Sequence, residues 1–295
     1  MPISLDYAKV NGIRLHYARA GHGQLILFAH GFPEFWFQWR RQLDEFERDY
    51  LVVAPDLRGY NLSDKPAGVS QYEISYIVDD LLALAAHIGQ KKFFLVGHDW
   101  GGVVCWFLAA RHPEAVRKLV ILNAPHPAVF ARELRNNPAQ QQASQYILMF
   151  RSPAAEAALS ANNFAALQDR VLGVGLRRGT LTEAERQAYL EAWAQPGALT
   201  GGLNYYRALQ PGATTLQELS SALDMEAAVR VIVPTLIIWG EQDHALLTGN
   251  LTGIEDFVPN VTIRRIPDAS HWVVQEKSDL VNGLIREFLA ELPVD

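Results

Sequence analysis

The stretch Phe93-Phe94-Leu95-Val96-Gly97-His98-Asp99-Trp100-Gly101-Gly102 restricts what this chain can fold into more than any other. An apolar, aromatic-rich run ends at a glycine, and an apolar helical pattern opens at Val103. It reads as strand, sharp turn, helix. The spacing Gly-x-Asp-x-Gly is that of a nucleophile elbow, with aspartate where serine is more familiar. A glycine on either side of the central residue permits a turn tight enough to hold one side chain above the end of a strand. Asp99 is then the residue expected under strain. A plain strand-to-helix connection with an N-capping aspartate would look the same over these few residues, so the rest of the chain has to decide.

The rest alternates. Ile3, Leu5 and Tyr7, then Ile13, Leu15 and Tyr17, are interleaved with polar neighbours on either side of Asn11-Gly12, which predicts a β-hairpin. Leu25 to Ala29 and Leu51 to Ala54 are continuous apolar runs, as expected of strands buried on both faces. Apolar spacing predicts helices from about Trp36 to Arg48, from Ile74 to Ile88 ahead of Gly89, and from the elbow to His112-Pro113. Leu119 to Leu122 is a further strand. From about His126 to Gly212 the sequence is Ala- and Gln-rich, helical, and holds no convincing strand. Alternation resumes with Thr235 to Gly240 and Val261 to Ile266, and a last helix is expected from about Asp279 to Leu292.

Strands alternating with helices imply an α/β fold, a mostly parallel sheet with helices on both faces. The helical stretch reads as a cap inserted into it. The expected organisation is a core over 1–125, a helical cap over 126–212, and the remainder of the core over 213–295. A length of 295 residues, nearly half of them apolar, suits one large core with such an insertion. A net charge of −6 with no basic stripe argues against nucleic acid and anionic membranes as partners. Cys105, the single cysteine, is expected to be a small buried apolar residue. Met1-Pro2-Ile3-Ser4 opens no charged-then-apolar segment, and the longest apolar runs are too short to span a bilayer. A cytoplasmic protein is the expectation.

Ligands of open parallel sheets bind beyond the carboxyl ends of the strands. His30, Asp56, Asp99, Asn123 and Asp243 all stand at such ends, and His271 follows the last strand. Nucleophile, acid, histidine is the chain order of a hydrolase triad on this kind of sheet. Asp99, Asp243 and His271 therefore form one hypothesis. An aspartate of pKa about 3.9 is already ionised at neutral pH. It can displace oxygen or halide from a saturated carbon and leave an ester on the enzyme. His271 would be the general base that drives water onto that ester, a role worth about 10²–10⁴-fold. Asp243 would fix its tautomer and stabilise the imidazolium. The backbone N–H groups of Phe32 and Trp100 are expected to receive the oxyanion, at roughly 3 kcal/mol per donor. His98 and His30 are expected to be structural and His244 to lie on the surface, and no cluster has metal-ligand spacing, so no metal and no cofactor is expected.

At these residues the chain resembles the epoxide hydrolase branch of the α/β-hydrolase family, through nearly its whole length. The likeness is carried by His30-Gly31-Phe32-Pro33-Glu34-Phe35-Trp36, by Arg58-Gly59-Tyr60 with Ser63-Asp64-Lys65-Pro66, by the elbow, by Trp239-Gly240-Glu241-Gln242-Asp243, and by Ser270-His271-Trp272. It implies an α/β-hydrolase fold and a cis peptide before Pro33. It also implies two cap tyrosines that hydrogen-bond the epoxide oxygen. Ser144 to Phe150 resembles the segment bearing the first and selects Tyr146, while Asn204-Tyr205-Tyr206-Arg207 selects Tyr206. A phenol of pKa about 10 is protonated at neutral pH and can donate to a developing alkoxide. Glu34, in relatives, helps orient the hydrolytic water, although a loop salt bridge would explain it equally well. Trp36 and Phe150, with Trp39, Phe130, Phe164 and Trp193, are candidates to wall a substrate pocket. Asn61-Leu62 departs from the small, Gly-containing pair usual there, and the turn after Arg151 lacks its frequent glycine, which leaves pocket shape open.

The activity implied is epoxide hydrolysis through an aspartyl ester to a vicinal diol, with a small apolar epoxide and water as partners. A haloalkane or haloacid dehalogenase would use the same aspartate. Against it, relatives of the fluoroacetate type place arginines just after the elbow to hold a carboxylate, and here Val103 and Val104 stand nearby instead. A halide also needs N–H donors in place of the tyrosine pair, and Trp100 supplies at most one. A non-catalytic small-molecule-binding protein on the same fold is the reading from another class, disfavoured by the intact nucleophile, acid and base.

Overall fold

The computed structural model describes residues 3–226 and 230–290. Eight strands form one sheet: β1 (Ser4–Val10), β2 (Ile13–Ala20), β3 (Leu25–Ala29), β4 (Leu51–Pro55), β5 (Phe93–His98), β6 (Val116–Leu122), β7 (Thr235–Gly240) and β8 (Val261–Ile266). Their order across the sheet is β1-β2-β4-β3-β5-β6-β7-β8. β1, β2 and β4 pair antiparallel, and every other pair is parallel. The mostly parallel α/β sheet is the one expected.

The continuous apolar runs are explained by two cores. Successive side chains of a strand point to opposite faces, so Leu95, Leu119 and Ile121 join one core while Val96, Val120 and Leu122 join the other. The helices α1 (Arg40–Phe46), α2 (Ile74–His87) and α3 (Trp100–Arg111) divide accordingly. α2 and α3 bury Leu81, Leu84, Trp106 and Leu108 in the first core, and α1 buries Leu43 and Phe46 in the second.

After β6 the chain runs helically: α4 (Pro127–Asn136), α5 (Pro138–Ala143), α6 (Gln145–Arg151), α7 (Ala155–Leu167), α8 (Gly173–Arg178), α9 (Glu183–Trp193), α10 (Ala198–Ala208) and α11 (Leu216–Glu226). Among the described residues no strand lies between β6 and β7. Helix thus continues beyond Gly212 as α11. α7 is broken at Asn162, Asn163 and Phe164, which take positive φ. α12 (Val273–Glu276) and α13 (Ser278–Ala290) complete the second face, where Ile285, Phe288 and Leu289 are buried. The expected end of the last helix at Leu292 lies outside the described residues.

Two details differ from the sequence reading. The helix expected from Trp36 starts as a tight 3-10 turn over Trp36–Trp39, because the Trp36 N–H is donated at 3.0 Å to Asp56 Oδ1, and α1 ends at Phe46. In β1, Leu5 and Tyr7 face out, and Ala8 and Val10 face the core. Tyr7 packs instead against His16 and the Arg14 guanidinium.

The elbow depends on close approach between α3 and β3. A Cβ added at Gly101 would sit 2.2 Å from the Ala29 carbonyl oxygen, and backbone cannot yield as a side chain does. Gly101→Ala should therefore lower unfolding stability by about 3 kcal/mol, at the upper end of overpacking costs. Urea unfolding checks this, and wild-type stability would contradict the packing described.

Candidate active site

Asp99 leaves β5 and opens α3 with φ +51° and ψ −126°, a conformation that costs a non-glycine residue about 1–3 kcal/mol. The turn lifts its carboxylate over the sheet. Oδ1 accepts the Phe32 N–H at 2.7 Å, and Oδ2 lies 3.6 Å from His271 Nε2. The Phe32–Pro33 peptide is cis. Trp100 is the first residue of α3, so its N–H belongs to the turn that has no intrahelical acceptor.

Asp243 follows β7, and His271 follows β8. His271 Nδ1 and Asp243 Oδ2 are 2.7 Å apart. Asp243 Oδ1 accepts the N–H groups of Ala245 at 2.8 Å and Leu246 at 2.9 Å, and Asn123 Nδ2 donates to Oδ2 at 2.9 Å. Burial would lower the His271 pKa, but the Asp243 charge and hydrogen bond outweigh it, Asp99 adds to them, and the result is about 10. Burial likewise opposes the ionised form of Asp99, yet His271 holds it below the ordinary carboxylate value. The two flanking carboxylates thus favour the protonated form of the imidazole between them.

The cap supplies Tyr146 from α6 and Tyr206 from α10, with ring centroids 6.3 Å apart and planes at 83°. Burial first, then the Asp99 charge, pushes both hydroxyls above the ordinary phenol value, so both keep their protons. α10 is docked on the core through backbone. A Cβ on Gly201 would meet the Gly59 oxygen at 2.2 Å, and the Tyr205 hydroxyl donates to the Arg58 carbonyl at 3.0 Å. Arg151, the last residue of α6, donates to the carbonyl oxygens of Tyr206, Gln210 and Ala213. One guanidinium therefore ties the helix carrying Tyr146 to the end of the helix carrying Tyr206.

Asp99, His271, Tyr146, Tyr206, Phe32 and Phe150 line one cavity of about 670 Å³. Phe150 sits edge-on to Phe32 and to Tyr206. Beyond Asp99 a small apolar pocket of about 50 Å³ takes in Trp100 and Phe130. Among the described residues no group of three or more His, Cys, Asp or Glu side chains could hold a metal ion.

Five residues expected at the pocket, Trp36, Glu34, Trp39, Phe164 and Trp193, are elsewhere. Trp36 does not line the cavity; its ring packs on Phe35 and Phe37 beside the oxyanion loop, because its backbone is held by Asp56. Glu34 is buried behind the loop. It makes no loop salt bridge, but accepts from the Tyr189 hydroxyl at 2.7 Å and Gln275 Nε2 at 2.6 Å, and burial raises its pKa to about 7. Trp39 is core, Phe164 packs on Trp193, and Trp193 donates its indole N–H to the Pro33 carbonyl.

The histidines divide as their positions suggest. His30 Nε2 accepts the Leu57 N–H while Nδ1 reaches the Gly31 carbonyl, which braces the loop. His98 turns away from the cavity, bonds Gln38, and places Nε2 2.8 Å from the His271 carbonyl. His244 is exposed at the mouth. Sequence reasoning had no partner for His16, which lies 2.6 Å from Asp56 in the core. It also missed the parts played by Asn123, Arg151, Tyr189 and Gln275. Only Asn123 carried a signal, its place at the end of a strand.

A strained carboxylate over a parallel sheet, with acid and histidine following the later strands, defines an α/β hydrolase with an aspartate at the nucleophile position. Residues 24–278 match the family model of the alpha/beta hydrolase fold. The chain is 40% identical over 291 residues to the AB hydrolase superfamily protein YfhM of Bacillus subtilis, covering 97% of this chain and 98% of that one. It is 38% identical to Epoxide hydrolase 4 of Homo sapiens, covering 96% of this chain and 77% of the relative. A crystal structure of the Bacillus megaterium epoxide hydrolase with an inhibitor superposes with a TM-score of 0.90 at 40% identity, covering 97% of this chain and all of that one. The chain belongs to the epoxide hydrolase branch of the α/β-hydrolase family.

If Arg151 sets the spacing of the tyrosine pair, Arg151→Met should slow formation of the covalent intermediate by about tenfold or more, as small misplacements do. Hydrolysis of the ester should be far less affected. Rapid-quench kinetics separates the two, and equal slowing of both steps would contradict this role.

Proposed function

We propose that this epoxide hydrolase works through two covalent steps carried by Asp99, His271, Asp243, Tyr146 and Tyr206. The observation that carries the reading is that Asp99, His271 and both tyrosines line a single cavity. An ionised carboxylate needs no base for its own attack. One oxygen of Asp99 forms a bond to an epoxide carbon, and the carbon–oxygen bond of the ring breaks. The departing oxygen is met by two phenols and takes a proton from one of them. Donors aimed at developing charge are worth about 10²–10³ each.

Esterification changes the electrostatics of the histidine. Asp99 loses its charge, and one of the two influences that keep His271 protonated goes with it. The imidazolium proton returns to the tyrosinate through solvent, and neutral His271 can then accept a proton from water. Hydroxide adds to Asp99 Cγ, and the oxyanion is received by the N–H groups of Phe32 and Trp100. Collapse releases the diol oxygen, which takes the remaining proton of the attacking water. Asp99 ends ionised and His271 protonated, as they began. Asp243, fixed by its two backbone donors and Asn123, holds the imidazole in register throughout.

Residues 126–212 act as the lid over this reaction. Glu34 braces the oxyanion loop against α9 through Tyr189 and against α12 through Gln275. The dehalogenase reading is weakened because the Trp100 ring packs edge-on against the Tyr206 ring, with centroids 5.0 Å apart, so a tyrosine stands where a halide would have to reach the indole. Among the described residues no helix is long and apolar enough to cross a membrane. Net acidity, with no basic stripe, favours a small molecule over nucleic acid as substrate.

His271→Gln should leave alkylation intact and trap the ester. Intact-protein mass spectrometry with styrene oxide should find an adduct on Asp99; an adduct elsewhere, or ring opening with none, contradicts the mechanism. Tyr146→Phe with Tyr206→Phe should slow ring opening by at least about 10³-fold in a folded protein. Near-normal alkylation in that double variant would remove the tyrosines from the reaction.

A further inference from the structure

His98 ends β5, and Gln38 lies in the 3-10 turn ahead of α1; neither takes part in the steps described above. Both side chains are enclosed, at 0% and 1% exposure. The His98 ring lies 4.8 Å from the His271 ring and 6.1 Å from that of Trp272. Its two nitrogens have different neighbours. Nδ1 is 2.7 Å from Gln38 Nε2, and Nε2 is 2.8 Å from the main-chain oxygen of His271.

A carbonyl oxygen can only accept, so Nε2 carries a proton. Two arrangements satisfy that. Either Nδ1 is bare and accepts from the Gln38 amide, or His98 is an imidazolium and the amide is turned over to accept from Nδ1. The surroundings of the amide do not choose, because Gln38 Oε1 has no partner among the described residues. The charge on His98 does. Burial opposes the cation most, His271 opposes it further, and Asp99 and Asp243 favour it; the balance takes the pKa down to about 4. His98 is therefore the neutral Nε2–H tautomer, with Gln38 as its donor.

We infer that Gln38 and His98 are the positioning pair of the general base: Gln38 fixes the tautomer of His98, whose Nε2–H then anchors the main chain of His271. The catalytic histidine is thus held twice, its ring by Asp243 at 2.7 Å and its backbone by His98. Together the two bonds set where its Nε2 points, 3.6 Å from Asp99 Oδ2. The opposite tautomer would turn a bare nitrogen lone pair onto the His271 oxygen and push the loop away. The consequence falls on one step. Ring opening uses an ionised Asp99 and needs no base, whereas ester hydrolysis needs the imidazole in place. This inference rests on the reading of His271 as general base.

The test uses the full chain with ¹⁵N-labelled histidine and, in parallel, rapid-quench kinetics with styrene oxide. The His98 signals, identified by their loss in His98→Gln, should show Nε2 protonated and Nδ1 bare in the wild type at neutral pH. Gln38→Met, of similar size and without the donor, should weaken that preference. It should slow ester hydrolysis by about tenfold, as small misplacements do, and leave ester formation near the wild-type rate, so that the ester accumulates. A wild-type His98 protonated on Nδ1 overturns the inference, whether or not the variant folds. So does Gln38→Met if it slows both steps equally or leaves hydrolysis unchanged. In each of these cases ester formation on Asp99 in the wild type keeps the epoxide-opening reading intact. If the wild type forms no ester on Asp99, that reading fails, and this inference falls with it.

Discussion

Asp99 sits in a backbone conformation that a side chain rarely adopts, and the surrounding structure is arranged to keep it there. β5 delivers it, α3 starts immediately after it, and the Phe32 N–H fixes one carboxylate oxygen. Gly101 lets α3 press against the backbone of β3, which closes the turn. A strained residue persists only where its neighbours over-determine it. That strain has a chemical consequence, because the carboxylate is held away from the sheet and bare on the side facing the cap. Everything else in the cavity is positioned with respect to this one group.

The charge balance follows from the same placement. His271 lies between two carboxylates, Asp243 and Asp99, of which the proposed reaction consumes the second. While both are ionised, imidazolium is favoured, and the histidine is no base. In the proposed reaction, esterification of Asp99 removes the second carboxylate, which leaves the imidazole freer to take a proton from water. Asp243 differs from Asp99 in being saturated with donors from Ala245, Leu246 and Asn123, which suits a charge that must stay put. The cap adds the opposing wall, with Arg151 tying one tyrosine helix to the other.

Much of this could be read from residue order, for identifiable reasons. Strands buried on both faces have to be continuously apolar, so β3, β4 and β5 stood out with bounds close to those observed. The elbow, the acid and the histidine come from local patterns at strand ends, and the sheet brings strand ends together without further information. Asn61, a departure from the family pattern, is accommodated because asparagine tolerates positive φ, here +37°, and its amide bonds Asp56. What sequence could not supply is how the cap rests on the core. Trp36 looked like a pocket residue because it follows the oxyanion loop, but a backbone bond to Asp56 turns it elsewhere. Gly201 against Gly59, Arg151 on the end of α10, and Glu34 with Tyr189 and Gln275 each join residues far apart in the chain. No periodicity encodes them. The exposed alternation of Leu5 and Tyr7 misleads for the opposite reason, since an edge strand can carry its apolar residues outward.

The central claim is that the carboxylate of Asp99, not water, forms the first bond to the epoxide carbon. A single turnover in ¹⁸O-labelled water, with enzyme in excess over epoxide, tests it most directly. The account predicts that the diol leaves without label and that one ¹⁸O is found in the peptide containing Asp99. Label in the diol after that first turnover, with Asp99 unlabelled, would mean that water attacks the ring directly.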